Sequence, residues 1–314
     1  MKRKAIIVSI KGVKLSKREK ILLSKEKPWG IILFRRNLNT PKQIKELTSN
    51  IRSLTKNKKF PIIIDEEGQS VSRLENLISH NISANFFGNL FKNDKYACYK
   101  IFKEYIRSLS KILKDLGINI NTIPVLDILR KETNKIIGNR SFSNDKKIVR
   151  KLGELTVKNL HSNKIASIIK HIPGHGAAKS DSHKKMPKVP LSLNKLNTKD
   201  FYPFKKSKAK LAMTAHILYS KIDKRNVATF SKDIIKKIIR KKIGFKGILM
   251  SDDISMKALK YDLVTNAKKA IEAGCNLVLY CKGNIKDNFK LIKSVPYIDK
   301  FTQKKTSEIY KILR

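Results

Sequence analysis

The stretch Ala166-Ser167-Ile168-Ile169-Lys170-His171-Ile172-Pro173-Gly174-His175-Gly176 decides the fold. It begins as a short apolar run with no polar alternation, ends on a cation and an imidazole, and breaks at once into a Pro- and Gly-containing turn. A run of this kind suits a strand buried on both faces, as in a parallel sheet. Seven other runs share its character: Ala5–Ile10, Ile31–Phe34, Pro61–Asp65, Ile118–Asn121, Leu211–Ala215, Gly247–Ser251 and Asn276–Tyr280. Helical patterns lie between several of them. Thr40-Pro41 followed by Gln43–Thr55 has an N-cap, Pro at the first helical position and apolar residues at helical spacing. Tyr96–Leu116, Lys146–His161, Ser231–Ile243 and Val264–Ala273 read the same way, the last two ending just before Gly244 and Gly274. The expected fold class is α/β, a single (β/α)8 TIM-type barrel over residues 1–314. An open doubly wound sheet is the main alternative, and no Gly-x-Gly-x-x-Gly or Walker motif follows any of the runs. The stretch Lys184–Lys210, with nine Lys and three Pro, reads as a long surface connection.

Polar residues gather where these runs end. Asp65-Glu66-Glu67 follows the third, Asn121 and then Asp127 the fourth, Lys170-His171 the fifth, His216 the sixth and Ser251-Asp252-Asp253 the seventh. In a barrel those ends converge on one face, which is where enzymes of this architecture carry their chemistry. Half of the six histidines fall in His171, His175 and His183. With an Asp they can be read as metal ligands, as metal-free catalytic groups, or as histidines that bond only their own turn. Asp181-Ser182-His183 offers a further pattern. An Asp two residues before a His can fix its tautomer and raise its basicity, which suits a proton donor that later acts as a base. A Ser/His/Asp hydrolase is disfavoured, because no Gly-x-Ser-x-Gly elbow is present.

Composition bounds the rest. The chain of 314 residues carries 70 Lys and Arg against 25 Asp and Glu, a formal net charge of +45. That balance invites a nucleic-acid reading. The excess is Lys (57) rather than Arg (13), however, and Lys, Ile and Asn make up 122 residues, as the coding bias of an AT-rich genome would produce. No apolar run approaches the roughly 20 residues that cross a bilayer. The apolar stretch Ala5–Ile10 is shorter than a signal-peptide core. The expectation is a cytoplasmic, non-membrane protein. Its three cysteines, Cys98, Cys275 and Cys281, imply neither a disulfide framework nor a zinc knuckle.

Five motifs occur in a fixed order: Ile64-Asp65-Glu66-Glu67-Gly68 with Arg73, Gly138-Asn139-Arg140-Ser141-Phe142, Lys170-His171-Ile172-Pro173-Gly174-His175-Gly176 with Asp181-Ser182-His183, Met213-Thr214-Ala215-His216, and Ser251-Asp252-Asp253-Ile254-Ser255-Met256. Together they resemble glycoside hydrolase family 3, in its single-domain NagZ-type β-N-acetylglucosaminidase branch, over about residues 5 to 285. The resemblance implies a retaining exo-β-N-acetylglucosaminidase acting on peptidoglycan (muropeptide) fragments in cell-wall recycling. It implies that Asp252 is the nucleophile, that His183 is the general acid/base with Asp181 as its orienting partner, and that Asp65, Arg73, Arg140, Lys170 and His171 hold the sugar. It implies no metal and no organic cofactor, a carbohydrate substrate as the partner, and a monomer. Another family 3 exo-glycosidase such as a β-glucosidase is the runner-up, and a basic nucleic-acid-binding protein ranks last. The sequence departs from the usual pattern at Gln69-Ser70 (usually Gly-Arg), Asn139 (usually Asp), Ser143 (usually Gly) and Ala177-Ala178 (usually Asp-Thr), none of which has a proposed chemical role.

Overall fold

The eight apolar runs become eight parallel strands. The computed structural model describes residues 2–79, 81–182 and 185–314. The strands are β1 (Lys4–Val8), β2 (Pro28–Leu33), β3 (Ile62–Ile64), β4 (Ile120–Asn121), β5 (Ala166–Ile172), β6 (Leu211–Thr214), β7 (Ile248–Asp253) and β8 (Leu277–Leu279). Each pairs with the next in sequence, and β1 closes on β8 through Ile6 opposite Val278 and Ile7 opposite Leu279. The expected barrel is therefore the fold. Closure leaves no free sheet edge.

Alternate side chains on each strand divide between two apolar layers. Inside the barrel lie Ile7, Ile63, Ile120, Ile168, Leu211, Ile248 and Leu277. Outside, Ile6, Ile31, Ile62, Ile169, Ala212 and Val278 pack beneath the helices. Burial of each such aliphatic side chain stabilises by about 1.5–3 kcal/mol, which explains why strands of two to seven residues suffice.

The helices follow the sequence periodicity with differences at their ends. They are α1 (Lys17–Ile21), α2 (Pro41–Thr55), α3 (Ala84–Asn93), α4 (Lys95–Asp115), α5 (Lys146–Ser162), α6 (Leu193–Thr198), α7 (Leu263–Ala273), α8 (Ile285–Ser294) and α9 (Lys300–Ile312). Thr40 caps α2 through the Gln43 amide, as its sequence suggests. The segment expected as an α-helix over Ser231–Ile243 is π-helical over Ile234–Lys242, with Ile234, Ile235, Ile238 and Ile239 buried. The residues of 185–210 are less superficial than expected. Leu196, Phe201 and Phe204 are fully buried, and α6 interrupts the connection. At the N-terminal ends of the strands α9 forms a plug: Ile309 joins the interior layer, and the Trp29 indole Nε1 donates to Thr306 Oγ1 at 2.9 Å. The barrel is thus closed at that end and open at the other.

Two register breaks re-aim side chains at the open end. The β5–β6 pairing shifts between Ile169 and Ile172, and the β7–β8 pairing shifts between Met250 and Asp253. The breaks enclose Lys170-His171 and Ser251-Asp252, the two strand ends richest in functional groups. A bulge turns a side chain that would otherwise alternate outward, which is why bulges recur beside active sites. Among the described residues no helix is long and apolar enough to cross a membrane.

Candidate active site

A cavity of about 340 Å³ opens at the C-terminal ends of the strands. Asp65, Arg73, Arg140, Lys170, His171 and Asp252 all line it. Six of the eight sequence-derived site residues therefore meet in one place, though they lie on four different strands or the loops after them. Of the other two, Asp181 is half-buried on the loop after β5, and its backbone oxygen accepts from the Lys185 amide at 3.1 Å. His183 lies outside the described residues. A larger, shallower depression of about 620 Å³ lies between the C-terminal ends of α2 and α4, and its charged lining is Lys45, Arg52, Lys56, Lys58, Lys114 and Asp115. No residue of the five motifs reaches it.

The floor of the cavity is a fixed array of charges. Lys170 Nζ lies 2.5 Å from Asp65 Oδ1, 2.5 Å from Glu67 Oε1 and 2.8 Å from Thr122 Oγ1. Asp65 also accepts from Arg73 Nη2 at 2.8 Å and from the Thr122 hydroxyl. Glu67 in turn accepts twice from Arg140. Two carboxylates and three cations thus alternate in one partly buried chain. Burial works to raise the Asp65 pKa, but the Lys170 and Arg73 charges and the hydrogen bonds outweigh it, so the carboxyl sits well below the usual carboxylate range. Glu67 is lowered for the same reason, with Arg140 and Lys170 opposing its burial. Burial lowers Lys170, and Asp65 and Glu67 more than restore it, so the ammonium is retained. Charges in this state hold fixed donors and acceptors toward whatever enters the cavity.

A second group supports the histidine turn. Asp127 is fully buried and accepts from His171 Nδ1 at 2.7 Å and from the His175 amide at 2.6 Å. His171 therefore presents its other ring nitrogen to the cavity side of the turn. Burial pushes the His175 pKa down to about 4. The turn is tight: a Cβ on Gly176 would fall 2.0 Å from the Ile128 carbonyl oxygen, and one on Gly174, at φ +139°, would fall 2.8 Å from that of Asp200. Only glycine fits either place. The Lys170–His171 and Ile172–Pro173 peptide bonds are cis.

Asp252 occupies the opposite wall. Its Oδ1 accepts from the Asp253 amide at 2.7 Å. Burial raises its pKa, but the neighbouring His216 and His171 rings, that amide and Lys170 together hold the carboxyl below the ordinary range. Among the described residues it accepts this one structural hydrogen bond, and the groups beside it favour its charge. His216 is set by Thr229 Oγ1 at 2.7 Å and the Asp253 carbonyl oxygen at 3.1 Å. Asp253 also lines the cavity, but its carboxylate is engaged by other partners. It accepts from Ser255 and from the Cys281 amide, and burial raises its pKa.

Sequence reasoning left three supporting residues without a role. Glu67 stands within a motif, Asp127 follows a strand end, and Thr122 follows Asn121, so position was the only signal. The departures from the usual motifs partly explain one another. Asn139 Nδ2 donates to Gln69 Oε1 at 2.9 Å, and Ser70 Oγ donates to Asn139 Oδ1 at 2.5 Å, so three departures form one neutral contact between the loops after β3 and β4. Among the described residues no three His, Cys, Asp or Glu side chains gather as metal ligands would.

Comparison with known proteins agrees with this geometry. A sequence model of the glycosyl hydrolase family 3 N-terminal domain matches residues 3–309. A β-hexosaminidase of Nitrosomonas eutropha is 31% identical over 281 residues, 88% of this chain and 80% of that protein. A β-hexosaminidase of Haemophilus influenzae is 32% identical over 304 residues, 93% of this chain and 85% of that protein. Among solved structures, NagZ from Neisseria gonorrhoeae in complex with N-trifluoroacetyl-D-glucosamine superposes with a TM-score of 0.89 at 31% identity, over 98% of this chain and 90% of that one.

Proposed function

The chain belongs to glycosyl hydrolase family 3 and is a β-N-acetylhexosaminidase, and from that premise we propose that it is a retaining exo-β-N-acetylglucosaminidase with Asp252 as nucleophile. The observation that carries this reading is that Asp252 shares one cavity with the Asp65–Lys170–Arg73 array, where His216, His171 and Lys170 favour its charged form. The array's donors and acceptors suit the hydroxyls and acetamido group of one terminal sugar, with Arg140 and His171 at its margin.

In the first step an Asp252 oxygen attacks C1, the C1–O bond to the leaving group breaks, and the departing oxygen takes a proton from the Asp181–His183 dyad. The product is a glycosyl ester on Asp252. In the second step water gives its proton to the dyad and attacks C1, releasing the Asp252 carboxylate and N-acetylglucosamine with the β-configuration retained. Two inversions at C1 account for the retention. This chemistry uses one carboxylate and one imidazole where most glycosidases use two carboxylates. The natural substrates in this reading are peptidoglycan-derived muropeptides carrying a terminal β-linked N-acetylglucosamine, cleaved in the cytoplasm during cell-wall recycling.

The test is a chromogenic β-N-acetylglucosaminide, turned over by the wild type and by Asp252→Ala. Loss of turnover by the variant, with a slow 2-fluoro glycosyl substrate labelling the peptide that contains Asp252 in the wild type, is the expected result. Equal activity of the two proteins would sink the nucleophile assignment. Faster turnover of the matching β-glucoside than of the N-acetylglucosaminide would favour a β-glucosidase.

A further inference from the structure

Neither Asn134 nor Thr133 belongs to the five motifs, and neither lines the cavity, yet both tie the loop after β4 to the loop after β5. The Thr133 hydroxyl donates to the Gly176 carbonyl oxygen at 2.6 Å and accepts from the Arg130 amide at 2.6 Å. The Asn134 amide N–H donates to the Ala178 oxygen at 3.2 Å, and its Nδ2 donates to the Lys179 oxygen at 3.0 Å. Three successive contacts therefore pin 176–179, the backbone that leads into Asp181. Three residues on, the Ser182 oxygen accepts from the Ala258 amide at 3.1 Å.

Asn134 has a second set of bonds. Its Oδ1 accepts from the Ile136 amide at 3.0 Å, and its backbone oxygen accepts from the Ile137 amide at 3.0 Å. Ile136 and Ile137 line the cavity, and their carbonyl oxygens accept from Arg140 Nη1 and the Arg140 amide, both at 2.8 Å. One residue thus faces the sugar-holding side with its acceptor and the proton-transfer side with its donors. Ala177 and Ala178 offer no side-chain hydrogen bonds of their own, so the loop depends on these backbone anchors.

We infer that Asn134, assisted by Thr133, is a positioning residue that fixes the Asp181-bearing segment against the turn that carries Arg140. The inference rests on the proposed role of Asp181 and His183 in proton transfer. A proton donor displaced by a fraction of an ångström fails where protonation of the leaving oxygen limits the rate, and matters little where the leaving group departs unaided.

Four variants separate the possibilities: Asn134→Asp, Asn134→Ala, Thr133→Val and Asp181→Asn, each checked for an unchanged thermal unfolding midpoint. Each is assayed on a dinitrophenyl N-acetylglucosaminide and on a β-1,4-linked N-acetylglucosamine disaccharide. Asn134→Asp keeps the acceptor for Ile136 and loses the donor to Lys179. It should lose roughly 10- to 100-fold in kcat on the disaccharide, a fraction of what a general acid contributes, with less than about a 3-fold loss on the activated substrate and KM unchanged. Asn134→Ala should add a rise in KM, because the Arg140 turn also loses its anchor. Thr133→Val should show the same leaving-group selectivity more weakly, and it decides the matter if the Asn134 variants fold poorly. Equal losses on both substrates for the Asn134 and Thr133 variants, with selectivity intact in Asp181→Asn, would overturn the positioning role and leave the proposed mechanism standing. Equal losses in Asp181→Asn as well would overturn the proton-transfer reading and this inference with it.

Discussion

Glu67 holds Arg140 by two parallel hydrogen bonds, Nε to Oε2 at 2.7 Å and Nη2 to Oε1 at 2.8 Å, and both side chains are almost fully buried. The same carboxylate also reaches Lys170. One acid therefore sets the positions of two cations that face the cavity, and it does so without lining the cavity itself.

Glu67→Gln should consequently damage binding and stability together. The amide can still accept one hydrogen bond, but Arg140 loses the carboxylate it pairs with and Lys170 keeps only Asp65. Breaking a buried pair costs about 3–5 kcal/mol, and the retained hydrogen bond places this variant near the lower end. Urea unfolding should show that loss, and KM for the chromogenic substrate should rise. An unchanged KM in a destabilised protein would show that Glu67 serves only the fold.

Gly176→Ala should act through the backbone. Its Cβ would lie 2.0 Å from the Ile128 oxygen, a distance that no rotamer can relieve. The loops after β4 and β5 must part, and overpacking of this kind typically costs about 1–3 kcal/mol. The expected outcome is a lowered unfolding midpoint with turnover reduced more than the stability loss explains, because the same shift moves the histidine turn. Gly244→Ala, which meets no atom within 4 Å but sits at φ +76°, is the comparison. It should be destabilised by backbone strain while turnover of the folded protein is kept.

The fold was legible in the sequence because a strand buried on both faces must be apolar at every position, so Ile62-Ile63-Ile64 or Leu277-Val278-Leu279 announces itself. The strand ends were harder to read. Hydrogen bonding carries β5 through Lys170 and His171 and β7 through Asp252 and Asp253, polar residues that a hydrophobic pattern assigns to loops. The sequence suggests a closing helical segment from about Ile285, and α8 and α9 fill it, but the plugging role of α9 was unreadable: KFTQKKTSEIYKI buries mainly Thr302, Thr306 and Ile309. The cavity residues were legible as ordered motifs. Their supports were not, since Glu67 meets Arg140 across 73 residues and Asn134 meets Lys179 across 45. Only the closed barrel brings those pairs together.

Thr306→Val should separate stability from activity. It leaves the buried Trp29 N–H without its acceptor at the end of the barrel opposite the cavity. An unsatisfied buried donor costs about 1–3 kcal/mol. Trp29 is the single tryptophan, so its emission reports this site alone. The expected result is a lowered unfolding midpoint and altered tryptophan emission with unchanged kcat and KM. A change in KM would mean that the plug and the cavity are coupled.

Stability should fall as the solution is acidified from about pH 6.5, well before the depressed carboxylates titrate. Burial lowers His175 and His161 from 6.5 to about 4. A histidine whose folded pKa lies below its unfolded value binds a proton more readily in the unfolded chain, so its contribution is complete above about pH 6.5 and is lost as the pH falls toward about 4. Each such proton gives a slope of about 1.4 kcal/mol per pH unit within that window. Asp65, Glu67, Asp127 and Asp252, whose pKa values are lowered in the folded protein, lose their contribution only at more acidic pH. Asp200 and Asp253, raised by burial, act in the opposite sense, since the folded protein takes up their protons first. Comparison with His161→Gln cancels those shared terms. His161 stands at the end of α5, where its Nε2 meets Ser167 Oγ at 3.1 Å, and Gln can keep that bond without titrating. Urea unfolding between about pH 7 and pH 4.5 should give a stability curve for the variant that is shallower by about one proton. Parallel curves would mean that His161 is protonated equally in the folded and unfolded chains.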